Sequence, residues 1–175
     1  MDFLNNKGLA DRIGEHPNLA NSEQHLSYYT YTLTIDLDKI GVDNDIQLEN
    51  EERAKRVNQL MDIVKVLNRN IRGRQENLSP LFVIGGIYDV ANPFFLGRVK
   101  INSRNGGYFI DTDMIKETLE TNILDKGIID STYMGSLSGV FENDDELASL
   151  LETRAGSIES FFKNIKEGIN RYYGV

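Results

Sequence analysis

Cysteine is absent from all 175 residues, which excludes disulfides and thiolate metal sites. Long apolar runs are missing as well. No stretch approaches the roughly 20 residues of a membrane-spanning helix, and the polar start MDFLNNKG has no signal-peptide core. A cytoplasmic protein is the expectation. Histidine is scarce: His16 and His25 have no companion at metal-ligand spacing. Each reads either as a general base or as a polar loop residue. The glycine pairs beginning at 85 and 106 belong to no GxxxxGK[ST] or GxGxxG loop. Ser136 and Ser138 lack the GxSxG setting of an activated nucleophile. The acidic run ENDDE (142–146) lacks the glycine and spaced ligands of a calcium loop, so Asp144 and Asp145 read as the negative start of a helix. With no catalytic constellation legible, the chain is expected not to be an enzyme and to need no cofactor or metal.

What is present is a globular composition, 40% hydrophobic and 26% charged, in a length that suits one domain. The net charge of −8 is unevenly spread. Residues 1–104 carry 13 bases against 14 acids, and residues 105–175 carry 6 against 13. One window, 53–74, holds seven bases (Arg53, Lys55, Arg56, Lys65, Arg69, Arg72, Arg74) and a single acid, Asp62, for a local charge of +6. An acidic whole does not exclude a local basic groove. Arginine offers a planar donor fork matched to phosphate oxygens, so three arginines in six residues suit a nucleic-acid backbone. Positive charge at a helix C-terminus is the plainer account. On charge alone the two stand level.

Residues 1–26 read as an irregular leader or arm, with one helical turn near 9–13, and residues 27–175 as a single α+β domain. In SYYTYTLTIDLD, Tyr29, Tyr31, Leu33, Ile35 and Leu37 alternate with polar residues, the period of a half-buried strand in an antiparallel sheet. Tyr29 and Tyr31 are expected in the core, leaving Tyr28 on the polar face. Ala54, Val57, Leu60, Met61, Val64 and Leu67 mark a helix that Asn50 would cap, with the bases largely off its apolar face. LFVI predicts a second strand, and Asn105-Gly106 predicts a hairpin between RVKIN and YFI. Thr112 would cap a helix over DMIKETLETN. Residues 121–141 carry weak signals, with GIID as a short strand. Helices are expected at 144–154 and 157–173, the latter striped by Ile158, Phe161, Phe162, Ile165, Ile169 and Tyr172. The order is α+β: a partial RRM-like or ferredoxin-like antiparallel sheet with a hairpin and C-terminal helices.

The succession NNKGLADRIG, SYYTYTLTIDLDKIG, ERAKRVNQLMDIVKVL and NRNIRGRQENLSPLFVIGG resembles the DevR-type backbone subunit of CRISPR-associated Cascade complexes, a RAMP-superfamily protein. The likeness runs over roughly residues 5–100, and the tail beyond Ser103 shares it only loosely. It implies an RRM-like palm, copies that polymerise along CRISPR RNA, and a grip on the RNA backbone that leaves the guide bases to pair with target DNA. Cleavage in such complexes belongs to another component. Members of this family are usually longer, so the chain is expected to be the C-terminal part of a longer domain. A sheet edge left open by that would make it associate with copies of itself, with the full-length backbone subunit, or with other Cascade subunits.

The RNA contacts expected are Arg69, Arg72, Arg74 and Lys65. Two other readings stay open. One is a RAMP-type endoribonuclease that processes CRISPR RNA with His25 as base. The other is a helical adaptor that binds protein through the last helix.

Overall fold

The computed structural model describes residues 2–5, 19–22, 27–71 and 73–175, with side chains from residue 27 onward, residue 72 excepted. His16, His25 and the helical turn expected at 9–13 lie outside the described residues. The chain divides into two units, residues 1–30 and 31–175. In the first, strands β1 (Asp2–Asn5) and β2 (Leu19–Ser22) pair antiparallel, Asp2 opposite Ser22 and Asn5 opposite Leu19.

The second unit is built around a three-stranded sheet. Its middle strand is β12 (Thr132–Ser136), flanked antiparallel by β7 (Phe82–Gly86) and parallel by β13 (Ala155–Ser157). Period-two alternation sends the side chains of β7 and β12 to opposite faces. Val83 and Tyr133 join a core made with helices α1 (Asn50–Lys65) and α4 (Ile158–Tyr173). Phe82, Ile84 and Met134 join a second core with helices α2 (Asp113–Leu119) and α3 (Asp144–Ser149) and with the hairpin β8 (Ile101–Arg104)–β9 (Gly107–Ile110). The sheet is covered on both sides. This is the expected α+β arrangement, with a hairpin, C-terminal helices and small antiparallel ladders, among them β3 (Val42–Asp43) with β4 (Ile46–Gln47) and β10 (Asn122–Ile123) with β11 (Lys126–Gly127).

Helix α4 forms because its apolar residues recur at three and four and because both ends are capped. Ser157 Oγ accepts from the Ser160 amide, and Gly174 takes the left-handed conformation (φ 76°) at the exit. Phe161, Phe162, Ile165, Ile169 and Tyr173 are its buried residues. Tyr173 takes the inner place expected of Tyr172, whose exposed ring instead sends its hydroxyl to Asp38. Helix α1 faces it with Ala54, Val57 and Met61. Asn50 is the first helical residue rather than the cap. Its side chain donates to the Tyr173 carbonyl (2.8 Å) and so ties the start of α1 to the end of α4. Thr112 stands at the N-cap of α2, yet its hydroxyl bonds Glu146 of α3 instead of a backbone amide.

Three other expectations are corrected. Residues 27–36 belong to no ladder among the described residues, and Tyr29, Tyr31 and Leu33 are exposed (64%, 52% and 47%) rather than core. Only Ile35 and Leu37 pack against the helices. Alternation marks a strand's faces but supplies no partner, and a strand outside a ladder keeps its apolar side in water. The predicted helix 144–154 stops at Ser149 and continues as a 3-10 turn over Glu152–Arg154. The weak region 121–141 contains β12, the middle of the sheet. GIID itself is largely a 3-10 turn, Ile128–Ser131.

Candidate nucleic-acid interface

The arginine-rich stretch folds as a hairpin of β5 (Asn68–Ile71) and β6 (Arg74–Asn77). Helix α1 ends at Lys65, the Leu78 amide closes onto the Leu67 carbonyl (2.8 Å), and Gly73 at φ 76° sits in the turn. A two-residue turn of this kind needs positive φ, which glycine adopts without strain. Gly73 is thus the tip of an element separate from α1.

Register fixes which residues share a face. Arg69 lies opposite Glu76 and Ile71 opposite Arg74, so these four occupy one side. Asn68 lies opposite Asn77 and Asn70 opposite Gln75, so four carboxamides occupy the other. All eight are exposed except Glu76, which is half-buried. Arg69 Nε donates to Glu76 Oε2 at 2.6 Å across the strands. Arg72 is outside the described residues, and Arg74 is exposed beside the tip. Lys65 turns toward α4, where its Nζ donates to both oxygens of Glu159 (3.1 and 2.9 Å). The hairpin thus brings Arg69 and Arg74 onto one face, while Lys65 is engaged with the other helix.

The remaining bases of the +6 window have different employment. Arg53 is buried, at 7% exposure. Its Nε donates to the Ile40 carbonyl (2.7 Å), and its Nη2 donates to the carbonyls of Leu37 (3.1 Å) and Asp38 (2.9 Å). The guanidinium also stacks over the Tyr173 ring, 4.9 Å from its centre. Arg56 Nε donates to Glu52 (2.9 Å), and Lys55 lies 3.7 Å from the same carboxylate. The hydrogen bond from Arg56, with help from Lys55, holds the Glu52 carboxyl below the usual range. Charge counting alone overstated the patch, because Glu52 and Glu76 stand just outside the window. The carboxamide face escaped sequence reasoning, although the N-x-N and Q-x-N spacing on either side of the turn carried its signal.

Among the described residues no three His, Asp or Glu side chains are placed to hold a metal ion, and no helix is long and apolar enough to cross a membrane.

Residues 5–103 match the family described as CRISPR-associated negative auto-regulator DevR/Csa2. The match covers more than half of the chain. This chain belongs to the DevR/Csa2 family. The basic hairpin, α1 and β7 lie inside the DevR/Csa2 match, whereas β12 and α4 lie beyond it. No curated protein and no solved structure matches the chain. Family membership supports a role in CRISPR defence.

Proposed function

We propose that the chain is a non-catalytic CRISPR RNA-binding scaffold subunit of a DNA-targeting, Cascade-type complex. It lines up with copies of itself and with other subunits along the guide and meets target DNA only through guide pairing. The observation that carries this reading is the exposed β5–β6 hairpin, which presents Arg69 and Arg74 on one face, inside the family-matched stretch. The Arg69–Glu76 pair is no obstacle to phosphate. Both side chains are about half exposed, and such pairs contribute only about 0–1 kcal/mol, so a phosphate oxygen can replace the carboxylate at little cost. Lys65 stands nearby in sequence but is held by Glu159, which makes it the weakest of the four contacts.

The experiment is RNA binding by Arg69→Ala, Arg72→Ala and Arg74→Ala, singly and together, across a salt series. Phosphate contacts predict a similar loss for unrelated RNA sequences and a salt slope reduced by about one counterion per arginine. Guide-repeat RNA incubated with the wild-type chain should stay intact, with or without divalent metal. Unchanged affinity in the folded triple variant overturns the assignment of the arginines, and cleavage abolished by His25→Ala overturns the non-catalytic reading.

A further inference from the structure

The reverse face of the hairpin asks for its own account. Asn68, Asn70, Gln75 and Asn77 form two consecutive cross-strand pairs with no charged or apolar residue among them. Asparagine is depleted in strands, and exposed strands are normally protected by charged side chains such as lysine. Neither strand propensity nor edge protection therefore explains four carboxamides here. Among the described residues, local bonding is slight. Gln75 Nε2 reaches Asn68 Oδ1 at 3.4 Å, Asn68 Nδ2 donates to the Val66 carbonyl (3.1 Å), and Asn77 Oδ1 accepts from the Ser79 amide (2.9 Å). The last two fasten the ends of the hairpin to its flanking chain. Asn70 and Gln75, nearer the turn, are the exposed pair beside the tip.

Resting on the proposed RNA-binding role, we infer that this carboxamide face recognises the ribose 2′-hydroxyls of the bound strand. A carboxamide offers N–H donors and a carbonyl acceptor on one planar group. A 2′-hydroxyl is likewise both donor and acceptor, and it is the group by which a protein distinguishes RNA from DNA. Arginine can only donate, so the charged face can hold phosphate without registering the sugar. A single strand passing the tip meets phosphate ligands on one side of the hairpin and ribose ligands on the other. Its bases need touch neither. The two faces divide the labour: Arg69 and Arg74 supply affinity, and Asn70 and Gln75 supply selection for RNA.

The test compares the full chain with its Asn70→Ala/Gln75→Ala variant on single strands of one sequence made as RNA, DNA and 2′-O-methyl RNA. The wild type should bind RNA about tenfold more tightly than DNA, the effect of one or two hydrogen bonds. 2′-O-methyl RNA, which keeps the acceptor and loses the donor, should fall between them. The double variant should bring the RNA-to-DNA ratio close to one and leave the salt slope unchanged. Asn70→Gln/Gln75→Asn, which keeps the chemistry, should retain the preference. Equal binding of RNA and DNA by the wild type, or a ratio the double variant does not move, overturns the inference. So does a preference that follows adenine content, because carboxamides that read base edges favour adenine. In each of those outcomes the arginine contacts stand. Failure of the wild type to bind any strand overturns both readings.

Discussion

A guanidinium with three backbone carbonyls and an aromatic ring around it belongs to the fold, whatever the charge of its neighbours. Arg53 holds the chain at Leu37, Asp38 and Ile40 against the start of α1. Arg53→Met keeps much of the side chain's length but leaves those acceptors without their donor, and should cost about 2–4 kcal/mol in urea unfolding. Arg56→Met, which removes an exposed i,i+4 pair, should stay within about 0.5 kcal/mol of the parent. Equal effects would mean that Arg53 is no more structural than its neighbour. A second residue sets an alkaline limit. Burial pushes the Tyr88 hydroxyl up to about 12, against the opposing pull of its hydrogen bond with Thr132. The folded state disfavours the ionised phenol, so this contribution is whole below pH 10 and is lost as the pH climbs toward 12. Tyr88→Phe should flatten that decline in stability between pH 10 and 12. An unchanged slope would assign the alkaline loss to other tyrosines, of which Tyr172 is also pushed up to about 12 by its hydrogen bond to Asp38.

At the scale of elements, α4 approaches the middle strand closely at Gly135. A methyl group on Gly135 would stand 2.8 Å from the Ser157 carbonyl oxygen and 3.0 Å from both Ile158 Cα and Phe161 Cβ. Two of those three atoms are backbone and cannot swing aside. Gly135→Ala should therefore cost about 1–3 kcal/mol by overpacking. Gly85→Ala, one strand away with nothing within 4 Å, is the control, and a thermal melt of each reads the difference. Elements differ in how plainly they could be read beforehand. Helices α1 and α4 were legible because an apolar stripe at helical spacing is local information. The β8–β9 hairpin was legible because Asn105 and Gly106 both take positive φ, as their turn demands. Strand β12 was not. TYMGS has neither clear alternation nor length, and it is a strand because β7 and β13 hydrogen-bond to it from 46 or more residues before and about 20 after. Residues 27–36 show the converse, with local alternation and no ladder among the described residues. Within the candidate site the position of the arginines was readable, but their carboxylate partners and the amide face depend on register.

Over the whole molecule, family likeness and folding unit do not coincide. The matched stretch ends at residue 103, but β7 pairs with β12 and α1 packs on α4, both beyond it. A fragment ending at residue 103 keeps the arginine hairpin and loses the partners of both α1 and β7. It should show no cooperative unfolding transition by circular dichroism, whereas the full chain should melt sharply. A cooperative melt of the fragment would mean that the family-matched stretch stands by itself.

The pairing of α1 with α4 also has a consequence in time. The apolar residues of α1, Ala54, Val57 and Met61, are covered by residues made about a hundred positions later. At about 5–20 residues per second of synthesis, α1 leaves the ribosome and waits on the order of 5–20 s before α4 exists to cover it. For that interval a nascent helix with a bare apolar flank carries the basic hairpin at its end. Chaperones would meet the chain in that state, before its sheet has been closed.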